Sequence, residues 1–218
     1  MFYIKNKIST KNIDKLLEPH ATKEKILVVH SEDIDYAKHF PNAYTVTKRK
    51  EVPADMHVDI YYEDLKNIES ESYSTIICTG LLEHVPNPQN LINNFHRILK
   101  PGGKLVLQAS SVFSIHEGPD NFFQFTHFGL ATLFKEWQGE KKITGSCQPY
   151  ETISILLQRI LFQVETNIFT KVVTVLLYNI LPFFDKTIKK QYTRNGNKKL
   201  EYEIDSMLPS NIQIVAFK

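Results

Sequence analysis

The chain has 218 residues, 42% of them hydrophobic, and its 26 Lys and Arg against 24 Asp and Glu leave a formal net charge of +2. That length suits one sizeable core and reads as a single domain. So even a balance excludes a protein that holds nucleic acid by bulk charge, which needs a face dominated by cations, and no nucleic-acid partner is expected. The two cysteines, Cys78 and Cys147, show neither metal-ligand spacing nor a disulfide framework, so no metal is expected and a reducing cytoplasm fits. Lysines 5, 7, 11 and 15 interrupt the first twenty residues, which therefore read as neither a signal peptide nor an anchor.

An amphipathic helix is expected from about Ser9 or Thr10. Lys25 to Val29 reads as the opening strand, Glu32 to Phe40 as the helix after it, Ala43 to Thr47 as a second strand and Met56 to Tyr61 as a third extended piece. Thr75-Ile76-Ile77-Cys78 is short, apolar and unalternating, the pattern of a central strand buried on both faces. Asn87 can cap a helix whose first turn accepts Pro88 and whose apolar face is Leu91, Ile92, Phe95, Ile98 and Leu99. Pro101 stops that helix, and Gly102-Gly103 turns the chain into a strand from Lys104 to Ala109. Thr126 can cap a further helix through Trp137, and Asn211 to Lys218 is strand-like. The alternation of strands and helices gives an α/β fold, a doubly wound and mostly parallel sheet with a helical insertion before the last strand. The core would comprise residues 22–148 and 200–218.

Leu82-Glu83-His84-Val85-Pro86 and Arg97-Ile98-Leu99-Lys100-Pro101-Gly102-Gly103 flank one helix, and together they resemble class I S-adenosylmethionine-dependent methyltransferases of the type 11-like branch. Ile115 to Thr126, which includes His116, Pro119, Asp120 and Phe125, resembles a segment of family members often found among polysaccharide and cell-envelope biosynthesis proteins. The resemblance implies S-adenosylmethionine as cofactor and methyl transfer to an oxygen or nitrogen of a small or glycan-type acceptor. It also implies a reversed last strand beside the sixth.

In open parallel sheets the ligand lies beyond the carboxyl ends of the strands. The family's glycine-rich loop after the first strand is replaced here, with His30, Glu32 and Ile34 where the glycines would be, and Thr47-Lys48-Arg49-Lys50 supplies no acid for the ribose hydroxyls. Glu32 or Asp33 offers a substitute grip on the ribose or the ammonium group of the cofactor. By resemblance Asp64, beside Leu65, contacts the adenine amino group, and Thr79, Gly80 and Glu83 line the cleft. His116 is the candidate general base, with Asp120 as its orienting partner or a hydrogen-bond acceptor for the substrate, because an acceptor hydroxyl must lose a proton. Gln124 stands where the family has arginine. The degenerate loop supports an alternative function, a catalytically inactive methyltransferase fold retained for binding or scaffolding.

The segment from Tyr150 to Tyr192 is expected to be helical, with no apolar run of the length that crosses a bilayer, and to pack over the sheet or cover the cleft. The cations after Phe184, from Lys186 to Lys199, suit peripheral contact with an anionic membrane.

Overall fold

A computed structural model describes residues 8–30, 34–191 and 205–218. Seven strands form one sheet: β1 (Leu27–His30), β2 (Tyr44–Thr47), β3 (Met56–His57), β4 (Tyr73–Thr79), β5 (Leu99–Ser110), β6 (Lys141–Gly145) and β7 (Asn211–Phe217). Their order is β3-β2-β1-β4-β5-β7-β6, with β7 antiparallel to both neighbours and the other pairings parallel. The expected doubly wound sheet with a reversed last strand is therefore present. The order turns back between β1 and β4, the place where such sheets bind ligands.

The unalternating strands are explained by what covers them. Because successive side chains point to opposite faces, Leu27, Val29, Ile76, Cys78, Leu105 and Leu107 join one core, while Val28, Ile77 and Val106 join another. On the first face lies α2 (Pro88–Ile98), capped as expected by Asn87, whose side chain accepts from the Asn90 amide. Its Leu91, Ile92, Phe95 and Ile98 are buried, and Phe95→Ala would cost about 3 to 5 kcal/mol. On the second face lies α1 (Ile8–Leu17), which contributes Ile13, Leu16 and Leu17.

Several expected elements are altered. Of the helix expected from Glu32 to Phe40, residues 31–33 lie outside the described ones, and the remainder forms one 3-10 turn, Tyr36–Lys38. Pro41 disfavours a helical Phe40 and leaves room for little more. The third extended piece pairs only at Met56–His57, after which the Ile60 amide turns back onto the Val58 carbonyl. Pro101-Gly102-Gly103 does not separate α2 from β5. Leu99 already pairs with Tyr73, and the turn residues make a bulge before the Thr75–Lys104 pair, with Gly102 at φ +73°. The Thr126 cap is real, but its helix, α3 (His127–Thr132), is short, and Phe134 and Trp137 reach the core from the turns that follow.

The insertion holds α4 (Pro149–Gln163) and α5 (Ile168–Ile180), which continues into a 3-10 segment, Leu181–Thr187. The expected packing is only partly met. α4 buries Thr152, Ser154, Ile155, Gln158 and Leu161, whereas α5 buries Thr174 alone. The expected shortage of apolar length is also corrected: Ile168–Thr187 is 20 residues of continuous helix, long and apolar enough by length and composition to cross a membrane.

Candidate functional site

The turn after β4 brings the chemistry together. Gly80 has φ +59°, a left-handed conformation that a side chain would strain, and it turns the chain into the 3-10 segment Leu82–His84. Glu83 and His84 end there almost fully buried. Glu83 Oε1 accepts from Ser110 Oγ at the end of β5, and Oε2 is buried without a hydrogen-bond partner among the described residues. The Glu83 carbonyl accepts from the Phe122 and Phe123 amides at 2.9 and 3.2 Å, so this turn also anchors the loop after β5.

That loop delivers His116. Its ring meets the His84 ring edge-on at 4.8 Å between centroids, and Tyr61 stacks on His84. His84 Nδ1 bonds the Asp120 carbonyl, and His116 Nδ1 bonds the Ser114 carbonyl at 3.0 Å. With each Nδ1 so occupied, Nε2 is the ring atom available to a proton or an ion. Burial lowers the His116 pKa most strongly; His84 and Arg159 also lower it, against opposing effects of the Ser114 carbonyl and Glu83.

Donor atoms of Glu83, His84 and His116 lie within 4.8 Å of one another and could hold a metal ion. Ring nitrogens fixed by backbone carbonyls are the usual outer support of such a site. This group was not anticipated, because spacing along the chain does not reveal three donors drawn from two separate loops.

Around them is a cleft of about 210 Å³, whose lining includes Ile34, Arg49, Glu83, Gln108, Ser110, His116 and Arg159. Gln108 Oε1 is a second buried acceptor without a hydrogen-bond partner among the described residues. Arg159 reaches this cleft from α4. In the structure its Nε donates to Ser114 Oγ at 2.8 Å and its guanidinium lies over Phe113.

The remaining candidates are placed differently. Asp120 does not orient His116. Its carboxylate accepts from Tyr62 Oη at 2.6 Å and pairs with Lys48 at 3.2 Å, contacts that hold its pKa below the ordinary range, and its carbonyl serves His84 instead. His30, buried at the end of β1, packs its ring against Tyr36, whose hydroxyl bonds Thr79. Side chains therefore fill the space that a glycine would leave open. Glu32 and Asp33 lie outside the described residues. Asp64 accepts from Asn90 Nδ2 and pairs with Lys66 at 2.9 Å, and these two lower its pKa. Leu65 is core rather than cleft lining, and its carbonyl accepts from Arg97, which also holds the Ile68 carbonyl. The arginine of the Arg97 to Gly103 motif thus ties the chain after β3 to α2.

A family profile described as a methyltransferase domain matches residues 9–165. The chain belongs to that family. The solved structures it resembles include an S-adenosylmethionine-dependent methyltransferase from Archaeoglobus fulgidus (TM-score 0.56, 13% identity, 96% of this chain and 94% of that one). Another is phosphoethanolamine N-methyltransferase 2 of Haemonchus contortus in complex with S-adenosyl-L-methionine (TM-score 0.51, 14% identity, 96% of this chain and 51% of that one). At these identities the likeness is one of fold. Among curated proteins the chain is similar to the ubiquinone biosynthesis O-methyltransferases of Coxiella burnetii (28% identity over 120 residues, 46% of this chain and 51% of the relative) and Xanthomonas oryzae (45% over 47 residues, 22% and 20%). The matched part spans about half the length of the first of these relatives and a fifth of the second.

Proposed function

We propose that the protein transfers a methyl group from S-adenosylmethionine to a hydroxyl oxygen of a small acceptor held over Glu83 and His116. The buried and unpartnered Oε2 of Glu83 carries this reading: an acceptor without a partner is costly to the fold, and a substrate hydroxyl or a protonated base would satisfy it. The O-methyltransferase names of the curated relatives support oxygen over nitrogen, and nothing in the comparisons favours a glycan. S-adenosylmethionine bound in this cleft would supply a sulfonium methyl carbon to the acceptor oxygen, and the carbon–sulfur electron pair would leave with S-adenosylhomocysteine. The hydroxyl proton passes to His116 Nε2. Burial lowers the His116 pKa, which keeps the ring neutral and able to accept that proton at neutral pH. Glu83, close by, stabilises the imidazolium that forms.

A second reading of the same residues is favoured by the two Nδ1 contacts with carbonyls. A divalent ion on Glu83, His84 and His116 would lower the pKa of the acceptor hydroxyl directly. Calorimetric titration with S-adenosylmethionine, followed by methyl transfer to a panel of catechols, simple alcohols and sugars with and without chelator, tests both. Activity that survives chelation but is lost in His116→Ala supports the base, and activity restored by added divalent ion supports the metal. Absence of cofactor binding would favour an inactive binding module, in keeping with the His30 ring where a glycine would be.

A further inference from the structure

The face of α5 turned away from α4 is a row of exposed apolar side chains at helical spacing: Ile168, Phe169, Val172, Leu176, Ile180 and, in the 3-10 continuation, Phe183. Ile168 and Phe169 are 71% and 75% exposed. A contiguous apolar face of this kind marks an interaction surface. The helix packs mainly on α4 and on its own continuation, so nothing else in the described chain covers it.

The charges beside this face are mostly of one sign, with Glu165, exposed just before α5, as the exception. Lys171 lies in the first turns of α5, Lys186 in the continuation, and Lys189 and Lys190 just beyond. The acid among those lysines, Asp185, is turned inward: its two carboxylate oxygens accept from the Tyr150 and Glu151 amides at 2.9 and 2.8 Å and so cap the start of α4. The outer side of the hairpin is thereby left apolar with a cationic end. The same cap shows how this face can be used. The chain leaves α4 at Gln163 and enters α5 at Ile168, and it is fastened back to the start of α4 by Asp185, so α5 is tied to the domain at both ends. It can lie along a surface while α4, with buried Thr152, Ser154 and Gln158, stays outside the lipid.

We infer that α5 and its continuation dock flat onto an anionic phospholipid bilayer, with the apolar row in the headgroup boundary and the lysines on the lipid phosphates. Docking of this kind also places the cleft near the bilayer. Gln163, the last residue of α4, donates to the Ile115 carbonyl at 2.7 Å, and Ile115, 75% exposed, directly precedes His116.

The test is flotation of the full chain with vesicles of phosphatidylcholine alone and of phosphatidylcholine mixed with phosphatidylglycerol, at low and high salt. Binding is expected only with phosphatidylglycerol and is expected to weaken with salt. It should fall on the order of fivefold for each lysine neutralised among Lys186, Lys189 and Lys190, and it should be lost in Phe169→Asp with Leu176→Asp. A fluorophore on Phe169→Cys reports the same event without charging the face, since Cys78 and Cys147 are buried. Its emission should shift to the blue when anionic vesicles are added. No binding to anionic vesicles, or no blue shift, overturns the inference. So does a concentration-dependent dimer in solution abolished by Phe169→Asp, which would give the face to a second copy of the chain.

Discussion

Glu83→Gln separates the chemistry of the site from its architecture, because the two respond in opposite directions. The substitution keeps the side chain's shape and an oxygen for Ser110 Oγ, and it puts an amide donor where the unpartnered Oε2 lies. Leaving a buried acceptor without a hydrogen bond costs about 1 to 3 kcal/mol. The new N–H can turn toward an accepting ring nitrogen of His84 or His116, whose ligating atoms lie within 4.8 Å. Folding stability, read from urea midpoints at constant slope, should therefore hold or rise by up to about 2 kcal/mol. Turnover should fall, because the amide can neither stabilise a His116 cation nor hold a divalent ion. General-base assistance is worth roughly 10² to 10⁴ in rate, or about 2.7 to 5.5 kcal/mol of barrier. The assay is methyl transfer at saturating cofactor, with cofactor affinity measured separately. A variant that loses more than about 1 kcal/mol of stability while keeping its turnover would show that the carboxylate serves the fold, and the reasoning from the unpartnered oxygen would fail.

His30→Gly removes a ring buried against Tyr36 and should lower stability by about 2 to 4 kcal/mol while tightening S-adenosylmethionine binding, both readable by calorimetry; unchanged affinity would show that the ring does not obstruct the cofactor. Asp64→Ala should weaken cofactor binding measurably, whereas an unchanged titration would leave Asp64 as a tether for Asn90 and Lys66. Burial, aided by Lys104, lowers the His20 pKa, so the unfolded chain binds that proton more readily than the folded one. This contribution to stability is complete above the unfolded value of about 6.5 and is lost as the pH falls toward the lower folded value; denaturation midpoints of His20→Gln should show a smaller loss over that window.

Local signals carried most of the fold. The Asn87 cap, the apolar face of α2 and the buried runs of β1, β4 and β5 are set by neighbours along the chain and by which faces are covered, so sequence patterning reveals them. The site was less legible, since Glu83 meets Ser110, His116 and Gln108 only through the pairing of β4 with β5 and the return of the following loop. Asp120 illustrates the difference: a carboxylate near a histidine in sequence suggests a pair, yet Lys48 and Tyr62, from the segments after β2 and β3, claim it. α5 was misread because an apolar helix has the same composition whether buried or exposed. Only its lone buried residue, Thr174, shows that the hydrophobic side is the outer one.

The pair Glu83-His84 contributes to the fold partly through its backbone, and this frees its side chains for other work. The Glu83 carbonyl anchors Phe122 and Phe123, a contact any residue could make, whereas the His84 ring is needed to reach the Asp120 carbonyl. His84→Phe should keep the stacking on Tyr61 and the edge contact with His116, since the ring planes can persist, and should lose only the donor to Asp120. The abandoned carbonyl costs about 1 to 3 kcal/mol if it stays dry. A loosened loop would let His116 move from the acceptor, so kcat should fall while S-adenosylmethionine affinity stays constant, since positioning is sensitive to displacements of about 1 Å. If His84 is also an ion ligand, bound divalent metal, measured by elemental analysis after loading, should disappear in the same variant. Unchanged turnover in His84→Phe would separate loop order from the reaction and confine the chemistry to Glu83 and His116.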